Sequence, residues 1–397
     1  MSIDLPGGSA PARAAFYNDP RVRSVAYQVA LCAIVAGLFY GAATNAVDHL
    51  ERAHIASGFG FWDQAAGFDI SQTLIFYSSQ VSTYGRAFWV GLLNTLLVAV
   101  LGIVLATVLG FTIGISRLSK NWLLAKVATG YVETIRNIPL LLQLLFWYNA
   151  VLKALPETRD SIHIAGGLFL NNRGLYLPKP VFLDGFDVVA VAALAGLIAA
   201  VVFYLWERKR QERTGHRGPV FSVMLALAIG LPLAAFVLKG FPLHFDYPAP
   251  TRFNIGGGIE VLPEFAALLF GLSIYTAAFI AEVVRAGILA VSRGQIEAAY
   301  SLGLRPRPTL RLIVVPQAMR VIVPPLTSQY LNLTKNSTLA VAIGYPDLVQ
   351  VFTGTVLNQT GQAVEVVAIT MLVYLSISLV TSLAMNLYNR RVALVER

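Results

Sequence analysis

Two groups of residues in this 397-residue sequence have types and spacings that could do chemistry. The first is polar. Gln329, Asn332, Lys335 and Asn336, with Thr327, Ser328, Thr334, Ser337 and Thr338 among them, follow Pro324-Pro325 inside an otherwise apolar stretch. At helical spacing Gln329, Asn332 and Asn336 share one face, with Ser328 and Lys335 on its edge. Such a row of amides supplies donors and acceptors to a polar or zwitterionic solute, and a broken helix adds backbone groups. The same side chains also serve as hydrogen-bonding glue between helices, and both readings stand at this level. The second group is charged. The segment EAAYSLGLRPRPTLRLIVVP, residues 297–316, interrupts two long apolar runs and has the character of a handle for a soluble partner.

Two acid–base pairs, Glu133 with Arg136 and Glu282 with Arg285, are each spaced three apart. On a helix each pair can meet on one face, which lowers the cost of placing its charges near lipid. We read them as gating or packing residues. Other chemistry is excluded by what is missing. There is no G-x-x-x-x-G-K-[ST] loop, so nucleotide hydrolysis by that route must come from another chain. Cys32 is the single cysteine, and the five histidines are scattered without metal-ligand spacing. No metal site, catalytic residue or cofactor is expected on this chain.

The elements that position these groups follow from composition. Hydrophobic residues make up 56% and charged residues 13%, and the mean hydropathy is +0.65. A soluble domain needs roughly a quarter of its residues charged, so the chain belongs in a bilayer. About 20 apolar helical residues cross the hydrocarbon core, because lipid offers the backbone no hydrogen-bond partner. Runs of this kind lie at 22–47, 87–115, 122–152, 186–206, 219–238, 262–290, 320–344 and 365–388. This predicts an all-α integral membrane protein with about eight transmembrane helices. The run 122–152 is too long for one upright crossing and is expected to kink at Pro139. The first 20 residues are polar and broken and do not read as a cleavable signal peptide.

Charge orients the spans. The formal net charge of +9 comes from 30 basic and 21 acidic residues. Arg13, Arg21, Arg23, Arg117, Lys120, Arg208, Lys209, Arg210, Arg213, Arg217, Arg293, Arg305, Arg307, Arg311, Arg320, Arg390, Arg391 and Arg397 all fall on one side of an eight-span arrangement. The positive-inside rule makes that side cytoplasmic, together with both termini and the insert 291–319.

The insert also carries a resemblance. Glu297-Ala298-Ala299, then Gly303, Ile313 and Pro316, resemble the EAA loop of membrane subunits of bacterial ATP-binding-cassette importers. The runs YTAAFIAEVVRAGILAVSRGQIEAA at 275–299 and YVETIRNIPLLLQLLFWY at 131–148 are similar to the polar amino-acid branch, and the enlarged chain looks like its general L-amino-acid permease subgroup. The resemblance implies a five-helix, MetI-like permease core made of 87–152 and 262–388. Around it lie a cytoplasmic tail at 1–21, an additional span and periplasmic loop at 22–86, an insertion with two extra spans and a basic loop at 153–261, and a cytoplasmic C-terminus at 389–397. It implies that Glu297, Ala298, Ala299, Gly303 and Pro316 couple the chain to an ATPase, and that Gln329, Asn332, Lys335 and Asn336 line the translocation path. Implied partners are a second, unlike permease subunit, two ATPase subunits holding ATP and Mg, and a periplasmic amino-acid-binding protein, in a bacterial inner membrane and without nucleic acid. Tyr300-Ser301 and the two prolines Pro306 and Pro308 depart from the family pattern and bear on partner choice. The rival readings are an ATP-independent secondary transporter or channel, a permease for another small polar solute, and a scaffold that recruits a cytoplasmic protein without transport.

Overall fold

The computed structural model describes residues 20–52, 57–164, 166–216, 218–251 and 254–392. Residues 1–19 and 393–397 of the two expected tails, and Arg13, Arg217 and Arg397 of the charge argument, lie outside the described residues. The helices in chain order are α1 (Pro20–Arg52), α2 (Tyr84–Ser116), α3 (Trp122–Asn137), α4 (Leu140–Leu145), α5 (Phe186–Thr214), α6 (Val220–Leu225), α7 (Leu231–Leu238), α8 (Pro263–Leu289), α9 (Arg293–Ser301), α10 (Pro306–Thr309), α11 (Val315–Asn336), α12 (Leu357–Thr360) and α13 (Ala363–Val392). Seven helical runs among the described residues are long and apolar enough to cross a membrane, and an eighth is reached if the bent pair α3 and α4 counts as one span. The protein is a mostly helical, multi-pass membrane protein.

The bend between α3 and α4 has a local cause. Pro139 has no N–H to give to the carbonyl four residues earlier, that of Ile135, and the chain turns by 105° between Trp122–Asn137 and Leu140–Leu152. Gln143 repairs the break. Its Nε2 donates to Ile135 O and Ile138 O, both at 2.9 Å. At the other end of α3, Asn121 Oδ1 accepts from the N–H groups of Leu123 and Leu124 at 3.0 and 3.2 Å and fixes where the helix begins.

Helix α8 is the centre of the packing, with Leu268, Leu272, Ile280 and Val284 fully buried. Lipid tails are as apolar as these side chains, so close packing of helix on helix has to hold the spans together. Two glycines permit it. A Cβ on Gly110 would lie 2.5 Å from Ile280 Cγ2, and one on Gly114 would lie 2.7 Å from Ala281 O, so α2 seats against α8 only because both positions lack a side chain. Leu326 and Leu333 of α11 join the same buried cluster as α2 and α8. A second cluster, formed by Phe61, Tyr84, Phe88 and Phe352 with Trp62 packed on it, ties the loop before α2 to the segment before α13.

The extra regions depart from a purely helical expectation. The segments between α4 and α5 and between α7 and α8 form short strands: β1 (Ile162–Ile164), β2 (Leu168–Asn171), β3 (Gly174–Leu177), β4 (Lys179–Phe182), β5 (Leu243–Asp246), β6 (Ala249–Pro250), β7 (Ile255–Gly256) and β8 (Ile259–Val261). They make one antiparallel sheet in the order β1-β2-β3-β8 and two pairs, β4 with β5 and β6 with β7. Stretches of two to four residues are too short to show a clear two-residue period in the sequence. Between the strands, α5 and α7 form a helical hairpin in which Gly196 of α5 lies against the backbone of Leu227, just after α6.

Candidate functional site

The charged insert folds as helix, turn and helix. Helix α9 buries Ala299, 1% exposed, and packs Ile296 against the main core beside Val291 and Val314. Glu297, Ala298, Tyr300 and Leu302 face outward, and Leu302 is 82% exposed. The two alanines therefore separate in role. Ala298 is free for close approach by another chain, whereas Ala299 is buried and makes the internal contact. The Glu297 carboxylate forms no ion pair among the described residues, while its carbonyl accepts from Ser301 Oγ at 3.0 Å. Gly303 ends the helix in the left-handed region, with φ +76°. Its N–H bonds to Tyr300 O at 2.9 Å, and Leu304 N bonds to Ala299 O at 3.1 Å, a closure that satisfies the last carbonyls of α9. Open space surrounds this glycine, so backbone conformation rather than room selects it.

After the turn, Pro306 occupies the first turn of α10, where a missing N–H costs nothing. The helical run then continues through a wide π turn at Leu310–Val314 into α11. The expected span 320–344 thus begins as a helix at Pro306, and its apolar length includes Pro316 in the first turn of α11. Pro324 and Pro325 lie within α11 without ending it. The break comes after Asn336, where the chain tightens into a 3-10 turn at Ser337–Ile343 and stops at Gly344, φ +75°.

The row of amides on α11 opens onto a groove. Gln329, Asn332 and Asn336 line a cavity of about 310 Å³ with Tyr275, Thr276 and Phe279 of α8. The Tyr275 and Phe279 rings lie 4.9 Å apart between centroids. Asn332 is exposed and Gln329 and Asn336 are half-buried, so the groove opens away from this chain's core. Lys335 is exposed and does not line it. Spacing puts Lys335 on the edge of the amide face, and the helix carries it just past the groove. Tyr131 of α3 donates through its OH to Ile274 O at 2.6 Å and fixes the wall beside Tyr275. Tyr330 and Thr107 join α11 to α2 through hydroxyls 2.9 Å apart.

The two acid–base pairs differ. Arg136 does not pair with Glu133. Its guanidinium lies over the Phe279 ring, 5.0 Å from the centroid, where the aromatic face attracts the cation. Glu282 does pair with Arg285, Oε1 to Nη2 at 2.5 Å, and its other oxygen accepts from Arg117 Nη1. Arg117 lies just past the end of α2 and Glu282 in the last two turns of α8, so one carboxylate joins the ends of the two helices. Sequence reasoning listed Arg117 only as a loop charge, since partners 165 residues apart leave no spacing signal. It also missed Tyr275, Thr276 and Phe279 as groove residues, although the i, i+4 placing of the two aromatics on α8 was readable.

A buried acid lies beyond the groove, in the turn after Ile343. Asp347 is fully buried; its Oδ1 accepts from Gln350 N at 2.8 Å and its Oδ2 from Tyr374 OH at 3.3 Å. Burial pushes the Asp347 carboxyl up from the usual range to about 7. Its neighbourhood is held by Asn94 of α2, whose Nδ2 donates to Gln72 O and Pro346 O at 2.9 Å, and by Thr95, whose Oγ1 accepts from Leu348 N at 3.0 Å.

Comparison with known proteins places these features. Residues 219–394 match the family described as the binding-protein-dependent transport system inner membrane component. The general L-amino acid transport system permease protein AapQ of Rhizobium johnstonii is 54% identical over 97% of this chain and 96% of its own length. YhdX of Escherichia coli is 53% identical over 96% of this chain and 97% of that protein. BztB of Rhodobacter capsulatus, a glutamate/glutamine/aspartate/asparagine transport system permease, is 45% identical over 96% of both. The exposed helix α9 on a bundle of membrane-length helices and the likeness along almost the whole chain lead to one assignment: the chain belongs to the permease subunits of amino-acid ABC transporters, transport components rather than enzymes.

Proposed function

We propose that this chain is one of two unlike permease subunits of an importer that carries L-amino acids into the cytoplasm across a bacterial inner membrane. A soluble periplasmic binding protein delivers the solute, and two ATPase subunits, which hold the ATP and Mg, supply the driving force. The observation that carries the reading is the amide-lined groove between α8 and α11, open on the side away from this chain's own core. A second subunit facing that opening would complete the wall. Gln329, Asn332 and Asn336 offer donors and acceptors to an amino acid's ammonium and carboxylate, and Thr276 adds a hydroxyl. Arg136, held on Phe279 at the groove's aromatic edge, supplies a cation for the carboxylate.

Coupling follows from α9. The helix is anchored to the core through Ala299 and Ile296 and presents Glu297, Ala298 and Leu302 outward, so a partner that grips this face moves α8 and α11 through their shared core. ATP binding and release then change the populations of inward-open and outward-open forms. In this reading the termini, α9 and the basic end of α5 are cytoplasmic, in accord with the positive-inside count.

The test is uptake of labelled amino acids by the assembled transporter with Asn332→Ala and Gln329→Ala. Loss of a hydrogen bond of about 1 kcal/mol predicts a KM several-fold higher for transport with ATPase activity in the absence of substrate unchanged. Unchanged KM in both variants would remove the groove from the path.

A further inference from the structure

We propose that the charged end of α5 is a binding site for the phosphate headgroup of an anionic phospholipid. Helix α5 runs for 29 residues, Phe186–Thr214, whereas about 20 suffice to cross the hydrocarbon core. Its apolar stretch ends at Trp206, so the last two turns emerge at the level of the headgroups. Trp206, Lys209, Arg210 and Arg213 stand at i, i+3, i+4 and i+7, which places them on one helix face. That face borders a cavity of about 230 Å³ lined by these four residues and Thr214.

The cations are arranged for an outside anion. The Arg210 guanidinium lies over the Trp206 ring at 5.5 Å and is thereby held toward the cavity. The two nearby acids offset only part of this charge. Glu207 is buried, accepts from Gly218 N at 2.8 Å and reaches Arg210 Nη1 only at 3.5 Å. Glu212 pairs with Arg208 on another face, at 3.5 Å. Lys209 and Arg213 form no ion pair among the described residues, leaving a cavity edged by three cations of which one is partly offset. A phosphodiester fits this set, since guanidinium groups match its oxygens in pairs and an ammonium adds a point charge. The interfacial tryptophan rests its ring against the glycerol and upper acyl region of the same lipid. Inorganic phosphate shares the headgroup's chemistry but lacks the chain that would rest on Trp206.

The full-length chain, purified with its partner subunits in detergent, is loaded with phosphatidylglycerol or phosphatidylcholine and the retained lipid is read by native mass spectrometry. Phosphatidylglycerol should be retained about 25-fold over phosphatidylcholine. Lys209→Gln with Arg213→Gln should abolish that preference, at about fivefold per cation from the roughly 1 kcal/mol each contributes near an anionic surface. Arg208→Gln should keep it. Equal retention of the two lipids, a preference that survives the double substitution, or one that Arg208→Gln also removes overturns the site. Displacement of the lipid by millimolar inorganic phosphate would instead make it a site for free anions and overturn the lipid assignment.

Discussion

Arg117, just past the end of α2, and Glu282, in the last two turns of α8, are joined side chain to side chain across 165 residues of sequence. Arg285 grips the second oxygen of the same carboxylate at 2.5 Å. The side chains of Arg117 and Glu282 are only 11% and 29% exposed, so water screens the cluster weakly. This carboxylate therefore clamps the two central helices beside the segment that leads into α9.

Glu282→Gln leaves two guanidinium groups facing each other without their counter-charge. Hydrogen bonds to charged groups are worth about 1.5–3 kcal/mol, so the loss should lower the melting temperature by several degrees, whereas Arg285→Gln, which keeps the Arg117 contact, should cost less. Thermal unfolding of the purified variants checks the order, and equal melting temperatures would dissolve the clamp.

Gly303→Ala forces a side chain into the left-handed region at φ +76°, with no steric clash around it. The cost is about 1–2 kcal/mol, and it falls on the turn that aims α9. We expect a folded chain with reduced ATP-dependent uptake. Gly110→Leu acts differently, because it separates α2 from α8. That variant should fail to give a monodisperse protein, which size-exclusion chromatography shows directly.

Asp347 predicts a pH dependence. Its carboxyl is raised from 3.8 to about 7 by burial, so between those values the folded chain holds a proton that the unfolded chain has released. Stability must then fall as pH rises from about 4 through 7 and level off above. Tyr345 and Tyr374 are the titratable neighbours, and burial and the Asp347 charge raise Tyr345 well above its ordinary range, so it stays neutral throughout. Asp347→Asn should flatten the slope of melting temperature between pH 5 and 8, and an unaltered slope would assign it to other groups.

The sequence made the membrane class, the approximate spans and the kink at Pro139 readable, because each rests on local composition or on one residue's backbone chemistry. Gly110 and Gly114 stand four apart, a spacing for close helix packing, but nothing in the sequence names α8 as the partner helix. What stayed hidden depends on long-range proximity. Arg117 meets Glu282 only once α2 lies against α8, and Arg136 leaves its sequence neighbour Glu133 for Phe279 on another helix. Lys335 falls on the edge of the amide face by spacing and lies outside the groove, since it points about 100° away from its neighbour Asn336. Ala299 belonged to a motif associated with partner contact, and its burial shows that part of such a motif holds the helix to its own chain.

The central claim is that α9 carries the force of an ATPase through Glu297 to the helices around the groove. The most direct measurement is uptake of labelled L-amino acids by proteoliposomes containing this chain, its partner permease, the ATPase and the binding protein, with and without ATP, for the wild type and Glu297→Arg. The account predicts uptake that requires ATP and is lost in Glu297→Arg while membrane insertion and melting temperature stay unchanged, because the carboxylate is exposed and makes no ion pair among the described residues. Uptake that continues without ATP, or that Glu297→Arg leaves intact, contradicts it.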